Sequence, residues 1–254
     1  MNYQNEINNI SKWMKEYLEN SGCEGYVILT SGGIDSSVVA CLCCRAVRPE
    51  NVIAISLPCE TREDMKNDAQ ELTNNLGIEL RVVDLEGTYN TIVRELLSVG
   101  EVGVIARENI KSRLRMVAGY GISNTINYLL AGTGNKSEDT IGFFTKYGDG
   151  GVDILPIYNF YKTEVYKLAE LMPEIPDNIK TKAPCADLSP EQKSDEEIFG
   201  ITYKEIDIIL KGLDPNNPQS LNKLNVKNIE KIKNMIKKAE HKNNMPPRCP
   251  RFSS

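Results

Sequence analysis

An α/β fold with a doubly wound, mostly parallel sheet flanked by helices is predicted by three observations. Short β-rich apolar runs alternate with helical stretches along the first half of the chain. The turn "TSGGIDSS" (30–37) joins one such run directly to an apolar helical segment. The 254 residues, 41% of them apolar, suffice for one large packed domain, expected over residues 1–254.

The elements follow in order. Ile7, Ile10, Trp13, Met14, Tyr17 and Leu18 recur at helical spacing, so the first 22 residues read as an amphipathic helix. "YVILT" (26–30), "VIAISL" (52–57), "ELRVVDL" (79–85) and "YLLAGT" (128–133) read as strands, and helices are predicted near 35–47, 61–76, 87–99 and 106–126. Ligands of such a sheet sit at the carboxyl ends of its strands, near the point where the strand order reverses. The segments 143–162 and 172–197, rich in Gly, Pro and mixed polar residues, read as long functional loops. Helices near 202–212 and 225–240 close the chain.

Composition narrows the function. A formal charge of −5 argues against a nucleic-acid backbone as the main partner, which calls for clustered Lys and Arg. The N-terminus has neither a signal-peptide nor a transit-peptide pattern, and no run of about 18 apolar residues could span a membrane. A soluble cytoplasmic protein is expected. His241 is the single histidine, which excludes histidine-based triads and His-rich metal sites built from one chain. The seven cysteines include adjacent neighbours that cannot readily bridge, and Cys41 and Cys44, in an apolar helical run, read as small buried residues of a reducing compartment.

The chemistry concentrates in "TSGGIDSS". Two glycines let backbone N–H groups crowd one point, and Ser31, Ser36 and Ser37 add hydroxyls at a helix N-terminus whose dipole favours an anion. This is a phosphate pocket, yet neither G-x-x-x-x-G-K-[ST] nor G-x-G-x-x-G is present. A carboxylate inside such a nest repels phosphate unless it is neutralised, so Asp35 points to a divalent cation, Mg²⁺. The bland alternative is an ordinary helix cap.

The S-G-G-x-D-S pattern after the first strand resembles the pyrophosphate loop of ATP-pyrophosphatases, whose fold is that of the adenine nucleotide alpha hydrolases. "NIKSRLRM" (109–116), "GTGNKSE" (132–138), "GFFTKYGDGGVDILP" (142–156), "KAPCADL" (182–188), "DEEIFGITYKEID" (195–207) and "HK" (241–242) follow in the order seen in NAD synthetases. The chain thus resembles the ammonia-dependent NAD synthetase family from about residue 8 to 252.

That resemblance implies ATP-dependent amidation of nicotinic acid adenine dinucleotide (deamido-NAD⁺) to NAD⁺ through an acyl adenylate, releasing AMP and pyrophosphate. It implies ATP contacts at Leu29, Thr30, Ser31, Gly32, Gly33, Ile34, Asp35, Ser36, Thr133, Lys162 and Cys185, the last replacing a threonine common in relatives. Asp35 and Glu138 are implied as Mg²⁺ ligands, and Lys162 as the cation on the leaving pyrophosphate. Arg113, Lys146, Asp153, His241 and Lys242 are implied for deamido-NAD⁺, with Phe143 and Tyr120 as aromatic contacts or core residues. Asp149 resembles the carboxylate that binds ammonium and accepts its proton. Asp35, Lys162 and Asp149 thus form the expected catalytic set. Synthetase motifs fill the chain and leave no room for a glutaminase domain, so free ammonia is the expected donor. Family resemblance also implies a homodimer, with the N-terminal helix and the Arg113 helix as interface candidates. Two alternatives share parts of the pattern: a tRNA-modifying ATP-pyrophosphatase and a non-catalytic nucleotide-binding module.

Overall fold

The computed structural model describes residues 2–185, 193–214, 221 and 224–251. Its sheet has four parallel strands, β1 (Gly25–Leu29), β2 (Val52–Ser56), β3 (Glu79–Val82) and β4 (Tyr128–Ala131), in spatial order β3-β2-β1-β4. Tyr26 of β1 lies opposite Val52 on one side and Leu129 on the other. The order therefore reverses at β1, and the crevice beyond the carboxyl ends of β1 and β4 is the place such sheets reserve for ligands.

Period-two alternation distributes the strand side chains between two cores. Tyr26, Ile28, Val52, Ala54, Leu129 and Ala131 join the core shared with α1 (Tyr3–Ser21) and α2 (Ile34–Ala46). Val27, Ile53, Ile55 and Leu130 face the opposite core, under α4 (Glu86–Leu96) and α5 (Val104–Thr125). Between β2 and β3 runs α3 (Glu63–Leu76). The inner strands read as unbroken apolar runs because both their faces are covered. β3, at the sheet edge, carries the charged pair Glu79 and Arg81, which discourages further strand pairing.

The predicted strands and the helices around them are all present, with ends shifted by a few residues; the strands end short of Thr30, Leu57, Leu85 and Thr133. In α1 the buried stripe is Ile7, Ile10, Met14 and Leu18, whereas Trp13 and Tyr17 lie outside it, exposed and with ring centroids 5.7 Å apart. Tyr26, fully buried, donates its hydroxyl to the Met14 carbonyl at 2.6 Å, which fastens α1 to β1.

The second half is more helical than its composition suggested. α6 (Lys136–Ile141) follows β4, and α7 (Lys162–Glu170) begins where the 143–162 loop ends. The 172–197 segment, read as a loop, contains α8 (Asp177–Thr181) and the start of α9 (Asp195–Phe199). Ser194 caps α9 and Glu197 returns the bond to the Ser194 N–H, a reciprocal cap written in the sequence as S-D-E-E. Residues 186–192 of this segment lie outside the described residues. α10 (Tyr203–Leu213) and α11 (Val226–Asn243) match expectation, and with α6 and α9 they build a third core at the carboxyl edge of the sheet. Among the described residues no helix is long and apolar enough to cross a membrane. All seven cysteines are free thiols, with Cys41, Cys43 and Cys59 buried.

Candidate active site

The turn after β1 is forced into shape by close packing. Gly32 has φ +78°, and a Cβ there would lie 2.3 Å from the Met65 carbonyl oxygen. Gly32→Ala is therefore expected to cost about 1–2 kcal/mol from the left-handed backbone alone, with the clash adding to it; urea unfolding measures the loss. α2 starts from Gly33 without a side-chain cap. Ser31 Oγ accepts from the Gly33 N–H at 3.3 Å and lies 3.2 Å from Ser36 Oγ.

The serines do not serve equally. Ser37 is fully buried and donates its hydroxyl to the Gly33 carbonyl at 2.8 Å, so it supports the turn and is not the phosphate donor its position suggested. Ser36 donates to the same carbonyl at 3.0 Å but still lines the cavity described below. Thr30 is buried with its hydroxyl directed to the Ile55 carbonyl, and Gly32 faces Met65; neither lines the cavity, whereas Leu29, Ser31, Gly33, Ile34 and Asp35 do.

A buried charge cluster follows. Lys162, 2% exposed at the start of α7, bonds Asp35 Oδ2 and, at 2.8 Å, Glu138 Oε1, bringing together residues 127 and 24 positions away in sequence. Asn135 caps α6 through the Glu138 N–H (3.0 Å) and donates to Asp35 Oδ1 (2.9 Å), so one side chain sets both carboxylates. Tyr203 of α10 places its hydroxyl 3.1 Å from Glu138 Oε1 and 3.1 Å from Asp195 Oδ2. Burial pushes the Glu138 carboxyl up to about 7, against the pull of the Lys162 ammonium. Burial alone would depress Lys162, but the carboxylates of Asp35, Glu138 and Asp195 reverse this and hold it firmly protonated.

Asp149 is fixed by other elements. Its Oδ1 accepts from Ser112 Oγ at 2.6 Å and from the Thr145 N–H at 2.9 Å, and its own N–H donates back to Ser112 Oγ at 2.9 Å. Gly148 is required beside it, since a Cβ there would stand 2.3 Å from Ser112 Oγ. The loop is also latched to α11. Lys242 Nζ donates to the Gly142 and Phe144 carbonyls, both at 2.7 Å, while Lys146 Nζ donates to the His241 and Asn244 carbonyls, both at 2.5 Å. Two lysines thus clamp the segments reciprocally, each holding the other's main chain.

These walls enclose one cavity of about 400 Å³ lined by the phosphate turn, Asp35, Glu138, Lys162, Thr133, Cys185, Asp149 and Lys242. Phe143 lines it too and meets Phe199 edge-on, serving wall and core together. Four residues expected at deamido-NAD⁺ are not among those lining it. Arg113 donates to the Lys146 carbonyl at 3.3 Å, Lys146 and His241 belong to the outer clamp, and Asp153 accepts from the Leu130 N–H (2.7 Å) and Tyr120 hydroxyl (3.1 Å). Cys185 Sγ lies 3.3 Å from the Lys193 carbonyl, a contact that substitutes a weak thiol for the hydroxyl of threonine.

Sequence reading missed Asn135, Ser112, Asp195 and Tyr203. For Asn135 the N-x-x-E spacing of "NKSE" was an available capping signal. Ser112 and Tyr203 acquire meaning only through Asp149 and Glu138, 37 and 65 residues away, and Asp195 joins the cluster through Tyr203.

The sequence profile of NAD synthase matches residues 6–246. An NH(3)-dependent NAD(+) synthetase of Archaeoglobus fulgidus is 41% identical over 250 residues, covering 97% of each chain. One from Carboxydothermus hydrogenoformans is 38% identical, again over 97% of each. Among solved structures, NMN synthetase from Francisella tularensis superposes with a TM-score of 0.89 at 32% identity, over 99% of this chain and 100% of that one. NH3-dependent NAD synthetase from Campylobacter jejuni gives 0.85 at 30% identity, over 98% and 100%. A parallel sheet with a serine-glycine phosphate turn, a cavity at its carboxyl edge and relatives matching end to end lead to one assignment: the chain belongs to the NAD synthase family.

Proposed function

We propose that the chain amidates deamido-NAD⁺ to NAD⁺ with ATP and ammonia through an acyl adenylate. The observation that carries this reading is a single cavity lined by the serine-glycine turn, by the Asp35–Lys162–Glu138 cluster and by Asp149. Activation needs the turn and the cluster, and amidation needs Asp149.

A carboxylate is a poor electrophile, so the nicotinate carboxylate first attacks the α-phosphorus of ATP and expels pyrophosphate. The phosphate turn receives the nucleotide, and Lys162, held protonated by its carboxylate neighbours, supplies positive charge as the leaving group gains negative charge. The donor set suits Mg²⁺: the carboxylates of Asp35 and Glu138 converge on one point beside Lys162 and supply the hard oxygen ligands that this ion takes. Bound there, Mg²⁺ neutralises phosphate charge.

In the second step ammonia attacks the acyl carbon and AMP leaves. Asp149 holds ammonium and accepts the proton that must depart before nitrogen becomes nucleophilic. Its Oδ1 is committed to Ser112 and Thr145, and Oδ2 has no partner among the described residues. The loop segments around the cavity exclude water, which would hydrolyse the adenylate. A homodimer is part of this reading: Val104, Ile105 and Val117 on α5 and Trp13 and Tyr17 on α1 are large apolar side chains exposed in the single chain. A cytoplasmic location completes it.

The test is pyrophosphate release from MgATP with ammonium, comparing deamido-NAD⁺, nicotinic acid mononucleotide and no acceptor, with mass detection of products. Equal NAD⁺ and AMP with deamido-NAD⁺ support the proposal. Preference for the mononucleotide would make the chain an NMN synthetase, the name its Francisella tularensis neighbour carries, and release independent of any acceptor would overturn the ligase reading.

A further inference from the structure

We propose that Asp207 of α10 is a positioning residue for adenylate formation, fixing Lys162 and Glu138 relative to each other; the proposal rests on the function given above. Asp207 is 2% exposed and one helical turn beyond Tyr203, on the same face of α10. Its two oxygens serve two different helices. Oδ1 accepts the hydroxyl of Ser137, the residue before Glu138 in α6, and Oδ2 accepts the N–H of Thr163, the residue after Lys162 in α7, at 2.9 Å. Ser137 Oγ in turn accepts the Lys162 N–H at 2.8 Å.

The first N–H groups of a helix have no partner inside it and are usually satisfied by a local cap. α7 keeps one local bond at its start, from the Tyr161 N–H to Glu164 Oε2 at 3.0 Å, but the N–H groups of Lys162 and Thr163 take their acceptors from Ser137, 25 residues upstream, and Asp207, 44 residues downstream. A local cap would satisfy the same donors without joining helices. The imported carboxylate ties the first turn of α7 to the first turn of α6, and those two turns carry the ammonium and carboxylate that meet at 2.8 Å. Lys211, one turn further along α10, adds a parallel tie to Glu164 of α7 at 2.9 Å. A negative charge at the start of α7 is also favoured by the helix dipole. α10 therefore braces the charge cluster: Tyr203 contacts the Glu138 side chain, and Asp207 holds the Ser137 hydroxyl beside Glu138 and the Thr163 main chain beside Lys162.

The experiment compares Asp207→Asn, Ser137→Ala, their double variant and Ile209→Val, which trims the same buried core without touching the network. Asp207→Asn is expected to lower kcat for pyrophosphate release by about 10- to 100-fold, the scale of a sub-ångström to 1 Å misplacement. KM for deamido-NAD⁺ should stay within about twofold, because the acceptor wall is untouched. Ser137→Ala should lower kcat in the same sense, and the double variant should be no worse than the poorer single one, since both break one chain of bonds. Ile209→Val should keep kcat at a comparable loss of Tm. If Asp207→Asn loses Tm as Ile209→Val does but retains kcat, or if the two network substitutions multiply, the assignment is overturned while the function stands. Should Asp207→Asn fail to fold, Ser137→Ala with unchanged kcat overturns it equally. An unsubstituted enzyme that releases no pyrophosphate with deamido-NAD⁺ overturns the function and the assignment together.

Discussion

Replacing Lys162 with methionine is expected to slow deamido-NAD⁺-dependent pyrophosphate release by about 100- to 1,000-fold, the scale for losing one preorganised charge on a leaving group. The same change should destabilise the chain by about 3–5 kcal/mol, because a buried carboxylate pair loses its counter-charge. Both effects come from one geometry: Lys162 is buried between Asp35 and Glu138 and cannot be replaced there by water. The double change Lys162→Met with Asp35→Asn should recover much of the stability and none of the activity, which separates the two roles. The stability deficit of Lys162→Met should also widen with pH. Glu138 is raised to about 7 by burial even beside the ammonium, from 4.5. A carboxyl raised by folding contributes stability that is fully present below its unfolded value and is lost as pH rises through the folded one. Urea unfolding at pH 5.5 and 8 checks this, and a Lys162→Met enzyme with undiminished pyrophosphate release would remove Lys162 from the first step.

Asp149→Asn should behave in the opposite way, with little change in fold and a block at the second step. Asparagine keeps a carbonyl oxygen for Ser112 and Thr145, so the loop should retain its bonds. What it lacks is negative charge and basicity. The expected result is a first turnover in which pyrophosphate forms at nearly the normal rate, followed by kcat/KM for ammonium reduced about 100-fold. Rapid-quench measurement of pyrophosphate and NAD⁺ separates the steps. Loss of the pyrophosphate burst as well would place Asp149 in activation, or in the fold of its loop.

The sequence made the sheet legible because its inner strands are buried on both faces and therefore stand out as continuous apolar runs, such as Val52–Ser56. Trp13 and Tyr17 were harder to place, since apolar residues next to a buried stripe look like members of it until the stripe is resolved as Ile7, Ile10, Met14 and Leu18. In the site, Asp35, Glu138 and Lys162 were named from motif resemblance, and they converge. Physical reading alone could reach Asp35, because a lone acid in a phosphate turn requires explanation. It could not reach Asp207 or Tyr203: each belongs to an ordinary amphipathic helix, and the partners that tie it to the site, Ser137, Glu138 and Thr163, lie 44 to 70 residues away. Nor could it see that Ser37 supports the turn from within, since three serines beside two glycines look interchangeable until one is found buried.

The clamp between Lys146 and Lys242 also sets a timetable for synthesis. All four strands are encoded by residue 131, so the sheet and its phosphate turn can assemble while much of the chain is still being translated. The helix that latches the Asp149 loop follows about 110 residues later, roughly 5–20 s at ordinary elongation rates. A nascent chain therefore has its serine-glycine turn well before the Asp149 loop is secured, and under the proposed mechanism the two halves of the reaction become jointly available only after the ribosome has let go of α11.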